Sequence, residues 1–237
     1  MCEYLKRMKH NGYALQYIKD QTEEICLRAV RQNGTALQFV KNQTEKICLE
    51  AVKANGLALA FVKNQTKEIC MIAVNQNGWA LKFVEHQDDE ICLIAVANTG
   101  HALQFIDDLS DEMCIAAVKQ NGLVLSYIGN RTEEICLEAV KECGFALQFV
   151  ENQTEDICLE AVRQDGASLE YVIDQTLEIC MIAVVNPIFR SQVRIHRAGE
   201  TKRLMYIKDL EMKEICRRRL DENRFLMTKS AKKMIDD

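Results

Sequence analysis

Proline is nearly missing from this chain: Pro187 is the only one among 237 residues. Tryptophan also occurs once, glycine ten times, and aromatic residues make up 6%. So few turn formers and rings exclude a collagen-like or low-complexity chain and argue against a β-sandwich. Long apolar runs are missing too. No stretch approaches the roughly 18 apolar residues of a membrane span, and Met1-Cys2-Glu3-Tyr4 does not read as a secretory signal. The expected location is cytoplasmic, with no membrane partner. What is present is 48% hydrophobic and 27% charged residues, a globular composition long enough to bury a core.

Order along the chain is more telling than composition. Glycines stand at Gly12, Gly34, Gly56, Gly78, Gly100, Gly122, Gly144 and Gly166, each 22 residues from the last. Cysteines keep the same step at Cys26, Cys48, Cys70, Cys92, Cys114, Cys136, Cys158 and Cys180. Self-similarity at such a period marks stacked repeats.

Each repeat predicts two helices. Four residues before each cysteine stands Thr22, Thr44, Thr66, Asp88, Ser110, Thr132, Thr154 or Thr176, all good N-cap residues. Acidic residues such as Glu23, Glu24, Asp89 and Glu90 follow in the first turn, where the helix dipole favours them. Asn-Gly is expected to close the longer helix in the left-handed conformation of a helix stop. A shorter helix follows. A projection at about 100° per residue puts Ile25, Cys26, Ala29 and Val30 on one stripe of the longer helix. It groups Ala14, Leu15, Tyr17 and Ile18 on one face of the shorter helix, with Tyr13, Gln16 and Lys19 opposite. Neither helix can bury its stripe alone, so the pairs must stack. The expected fold is all-α: an α-solenoid of about eight 22-residue helix-turn-helix repeats with a divergent C-terminal cap.

The period survives to Val184 and breaks at Pro187, so residues 1–186 read as the array and 187–237 as a divergent basic cap and tail. Within the cap, Leu204-Met205-Tyr206-Ile207-Lys208-Asp209 follows the pattern of Leu15-Gln16-Tyr17-Ile18-Lys19-Asp20. Glu214-Ile215-Cys216 then resumes a helix whose apolar stripe gives way to Arg217-Arg218-Arg219, and 221–237 read as a short helix or tail. Tyr4, Leu5 and Met8 read as a partial first helix. Charge divides the chain as well: residues 1–75 hold 11 basic and 7 acidic side chains, 76–186 hold 5 and 20, and 187–237 hold 14 and 8.

The unit Asn-Gly-x-Ala-Leu-x-Phe-Val-x-Asn-Gln-Thr-x-Glu-Ile-Cys-Leu-x-Ala-Val resembles a family of paired-helix repeats, a domain of unknown function about fifty residues long. That family is abundant in giant viruses related to mimivirus and occurs in some protists and bacteria. The resemblance spans residues 11 to 186. It implies a giant-virus origin, hence a host cytoplasm as location, and brings no activity with it.

Eleven cysteines invite a metal or disulfide reading. Equivalent positions of stacked helices lie roughly 8–10 Å apart, whereas a disulfide needs Cα atoms within about 7 Å. The periodic cysteines also sit in the apolar stripe and no Cys-x-x-Cys occurs, so they are expected to pack as small hydrophobes. Cys2, Cys143 and Cys216 fall outside that series and are the candidate reactive thiols. Asn42-Gln43-Thr44, Asn64-Gln65-Thr66, Asn130-Arg131-Thr132 and Asn152-Gln153-Thr154 match the glycosylation pattern, but the threonine is expected to cap a helix. His10, His86, His101 and His196 show no ligand spacing, and no triad order or phosphate loop is present. The chain is read as a non-enzyme without cofactor or metal.

What remains is surface recognition. In a repeat scaffold function tends to sit where the frame is fixed and the residue varies. The position after each glycine carries Tyr13, Thr35, Leu57, Trp79, His101, Leu123, Phe145 and Ala167. Tyr13, Trp79, His101 and Phe145 are therefore candidate protein contacts. Lys19, Lys41 and Lys63, with Arg28 and Arg31, form a basic ridge that completes the candidate set. The function expected is a non-catalytic adaptor or decoy that binds a protein. The alternative is RNA binding through the basic ridge and the basic segment from Arg190 to Arg203. Self-association through basic and acidic stretches is a further outcome.

Overall fold

The computed structural model describes residues 12–185, 204 and 206–233. Pro187, the basic segment 190–203, Cys2, His10, His196 and the partial helix around Tyr4 lie outside those residues. Among the described residues every regular element is a helix, and the fold is an all-α solenoid of 22-residue repeats. The chain divides into two compact units, Met1–Tyr127 and Ile128–Asp237.

In the N-terminal unit the longer helices are Glu23–Gln32, Glu45–Ala54, Lys67–Gln76, Asp89–Asn98 and Asp111–Gln120. Each begins where its cap demands. Thr22 accepts the Ile25 amide at 3.4 Å, Asp88 the Ile91 amide at 2.9 Å, and Ser110 the Met113 amide at 3.2 Å. Neighbouring longer helices pack on one another, and their stripes are closed to solvent: Ala51, Val52, Ala73, Val74, Ala95 and Val96 are all 0% exposed. The C-terminal unit repeats the plan with Glu133–Glu142, Glu155–Gln164 and Leu177–Val185, then a final helix Leu210–Lys233 packed on Leu177–Val185. That last helix runs unbroken to Lys233, past the point where the sequence suggests a separate helix or tail.

The short helix differs from expectation in two respects. Gly12–Tyr17, Gly34–Phe39, Gly56–Phe61, Gly78–Phe83, Gly100–Phe105, Gly122–Tyr127, Gly144–Phe149 and Gly166–Tyr171 are 3₁₀ helices of six residues. With three residues per turn, Gly12 and Leu15 line up as the buried edge while Tyr17 turns out to 69% exposure. The α-helical projection had placed that ring in the core. Nor does Asn-Gly adopt the left-handed stop. Asn33 is extended at φ −150°, ψ 107°, and no described residue has a positive φ. Its side chain accepts the Thr35 amide at 3.1 Å and so caps the 3₁₀ helix instead.

Glycine is required there by close approach. A Cβ on Gly100 would lie 2.6 Å from the Ala117 carbonyl, at the end of the next repeat's long helix. The Gly100 amide also donates to Gln120 Oε1 at 2.8 Å, so main chain meets main chain at this seam. Leu37, Leu59 and Leu81, three residues on, are fully buried beneath it; each such leucine contributes about 2 kcal/mol by leaving water.

A second seam is made by glutamine. Gln43 Nε2 donates to the Phe61 carbonyl at 2.8 Å, and its Oε1 accepts the Lys63 amide at 3.0 Å. Cys48 Sγ donates to the same oxygen at 3.7 Å. Gln21 and Gln65 repeat this three-way grip, reaching Phe39 and Lys41, and Phe83 and Glu85. In the C-terminal unit Arg131 takes over the donor role to Phe149, and Gln153 holds Tyr171 and Ile173. Gln175 grips the Tyr206 carbonyl and the Lys208 amide, both at 3.0 Å. The segment matched in sequence to Leu15–Asp20 is thereby held as though it were another repeat, with Leu204 and Ile207 buried.

Candidate partner-binding surface

Where a 3₁₀ helix presses its glycine edge against the next repeat, as at Gly12, Gly34, Gly56, Gly78, Gly100 and Gly144, the residue after the glycine is turned outward. That residue meets the ring which ends the following repeat's short helix. Tyr13 stands edge-on to Phe39 with centroids 5.8 Å apart. Trp79 stacks on His101 at 6.2 Å and an interplanar angle of 20°, and meets Phe105 edge-on at 5.8 Å. His101 in turn meets Tyr127 at 5.9 Å. In the C-terminal unit Phe145 meets Tyr171 at 6.0 Å. Offset and edge-on pairs of this kind are favoured by the ring quadrupoles, and they hold the row in place while leaving it wet. Tyr13 is 37% exposed, Trp79 39% and Tyr127 53%.

The four candidates taken from the variable position are thus brought into ring contacts on the short-helix face of their units. Their partners Phe39, Phe105, Tyr127 and Tyr171 were missed, since the projection assigned that position to the core. The signal was available: every short helix ends in Phe or Tyr, and a purely buried site has no use for a tyrosine hydroxyl.

The basic candidates lie on two kinds of element. Lys19, Lys41 and Lys63 are exposed in the turn after the short helix, with Lys41 Nζ donating to the Lys19 carbonyl at 2.8 Å. Arg28 and Arg31 are exposed on helix Glu23–Gln32, a different element from the rings, and Arg31 pairs with Glu50 of the next repeat. That guanidinium holds the Glu50 carboxyl below the usual carboxylate range.

Charge along the turn edge changes sign within the N-terminal unit. Lys46 meets Glu23 at 3.3 Å, and Lys67 meets Asp88 at 2.9 Å and Glu90 at 2.7 Å. Beyond that point compensation ends. Glu85, Asp89, Asp107, Asp108, Asp111 and Glu112 are exposed and meet no cation among the described residues.

Cys26 through Cys180 in the periodic series are buried, as is Cys216, and desolvation raises their thiols, Cys158 and Cys180 to about 11. Cys143 alone of the described cysteines is half-exposed. No group of three or more His, Cys, Asp or Glu gathers at metal-binding distance among the described residues. No helix there is long and apolar enough to cross a membrane.

The family profile for the Domain of unknown function (DUF4116) matches residues 4–43, 44–87, 66–110, 88–131 and 132–175, and the chain belongs to that family. No curated protein and no solved structure gives a match.

Proposed function

We propose that this member of the DUF4116 family is a non-catalytic scaffold that binds a partner protein on its short-helix face. The observation that carries this reading is the row of half-exposed rings, Trp79, His101, Phe105 and Tyr127, mounted on a frame whose seams are made by main-chain contacts. Aromatic anchors held at fixed spacing lose little side-chain entropy when a partner covers them. The resemblance to giant-virus repeats supports a host protein as the partner and host cytoplasm as the setting. Burial of the periodic cysteines, which raises their thiol pKa values, favours a packing role over a nucleophilic one for them.

The test is affinity capture from host lysate by the full chain, with and without nuclease, against companions Trp79→Ala and Lys41→Glu. A protein retained after nuclease and lost with Trp79→Ala supports the scaffold reading. Material lost on nuclease treatment and with Lys41→Glu would replace it with RNA binding through the lysine turns.

A further inference from the structure

Resting on that reading, we infer that the part of the ring row between Trp79 and Tyr127 takes an extended, basic segment of the partner, one that alternates arginine or lysine with aliphatic side chains. The rings here cross three successive short helices, Gly78–Phe83, Gly100–Phe105 and Gly122–Tyr127, as a line and not a pocket. A line suits an extended chain. Its charge is strongly one-sided: residues 79–127 hold eight acidic side chains, of which Asp88 and Glu90 are paired with Lys67, against Lys82 and Lys119.

Position strengthens the argument. Asp107 and Asp108 follow Phe105 by two and three residues, so their Cα atoms lie within about 7 and 11 Å of it. A guanidinium resting on the Trp79 or Tyr127 ring gains cation–π attraction and remains inside the field of Asp107 and Asp108, which meet no cation among the described residues. Aliphatic side chains between such cations cover Leu123, which is 41% exposed beside Tyr127 on the same short helix. A phosphate backbone would be repelled by the same carboxylates. The corresponding turn positions earlier in the chain are Lys19, Lys41 and Lys63, so a basic ligand is kept off that stretch and bound in one register.

Trp79 is the chain's one tryptophan, which makes its fluorescence a reporter of this row alone. The probe is a synthetic peptide of four Gly-Arg-Leu repeats, with Gly-Glu-Leu and Gly-Gln-Leu versions as controls, titrated into the full chain. The arginine peptide is expected to shift the Trp79 emission saturably, and the glutamate peptide to leave it unchanged. Affinity should fall at least about tenfold on raising salt well above physiological ionic strength. The same loss is expected for the double variant Asp107→Asn, Asp108→Asn, and for Tyr127→Ala, each checked by circular dichroism for an unchanged fold. Equal binding of the three peptides, or undiminished binding by the aspartate double variant, overturns the inference. No response to the arginine peptide also overturns it. If lysate capture through Trp79 still succeeds in that case, only the partner chemistry is wrong; if capture fails as well, the scaffold reading falls with it.

Discussion

Replacing Gly144 by alanine tests the seam argument directly, with Gly129→Ala as its control in the same unit. An added Cβ at Gly144 would sit 2.5 Å from the Ala161 carbonyl oxygen and 2.5 Å from Ser168 Oγ, nearly 1 Å inside ordinary contact. Ala161 cannot retreat freely, because its carbonyl accepts the Asp165 amide at 2.9 Å where helix Glu155–Gln164 ends. The two repeats must therefore move apart, which strains the 2.7 Å bond from the Gly144 amide to Gln164 Oε1. Overpacking a tight core contact costs about 1–3 kcal/mol, and loss of a part-buried hydrogen bond adds about 1 kcal/mol. The expected penalty is about 2–4 kcal/mol. Gly129 has nothing within 4 Å of its added Cβ and no positive φ. Alanine there should raise stability by about 0.4–1 kcal/mol through the unfolded chain. Urea unfolding followed by far-ultraviolet circular dichroism gives both values, and amide exchange across residues 155–172 localises the loss. Equal stability of Gly144→Ala and the parent, within about 0.5 kcal/mol, would refute close approach as the reason for the glycine series.

Gln43→Leu removes the grip on Phe61 and Lys63 and leaves a part-buried carbonyl and an exposed amide without their partner; a loss of about 1–2 kcal/mol is expected in urea unfolding. Ser168→Ala should stabilise by about 1 kcal/mol in the same assay, since Ser168 Oγ is buried with no hydrogen-bond partner where most repeats carry alanine. Alkaline pH should unfold the protein steeply. Burial raises the thiols above their ordinary 9.0, so the fold keeps protons that the unfolded chain releases, and stability is intact below about pH 9 and falls as pH climbs towards the value near 11 of Cys158 and Cys180. A melting temperature that does not move across that range contradicts the assignment. In native protein at neutral pH, Ellman's reagent should label Cys143 rapidly and Cys26 through Cys180 of the periodic series only on unfolding; mass spectrometry of the labelled peptides reads this out.

The period, the helix caps and the buried cysteine stripe were legible because each is a local rule repeated eight times: a side-chain oxygen three residues before a free amide, and an apolar face every turn. The short helix was misread for a physical reason. Six residues carry too few apolar positions to separate a three-residue turn from one of 3.6, and the difference rotates Tyr17 from core to solvent. Asn-Gly was misread because the usual reason for glycine, a positive φ, hides another: the Ala95 carbonyl that closes on Gly78 belongs to the next repeat, and no local rule can see it. Gln43 entered the sequence reading only as the middle of Asn42-Gln43-Thr44, although the recurrence of glutamine at Gln21, Gln65, Gln87, Gln153 and Gln175 was in plain sight. In the candidate surface, position after glycine was readable as variable, but the ring contacts needed the stacking register to pair residue 79 with 105.

The glutamine grip has a consequence for how such chains can grow. Gln43 recognises the Phe61 carbonyl and the Lys63 amide, atoms that every amino acid other than proline presents alike. At this seam a repeat therefore accepts its successor without reading the successor's side chains. Duplication, deletion or exchange of one 22-residue module leaves a joint of the same kind, and outward positions are free to drift. Evolution can lengthen the array and rewrite its exposed face independently, which is how one frame comes to carry Lys19, Lys41 and Lys63 in its early turns and Glu85, Asp107 and Glu151 at the same position in later ones.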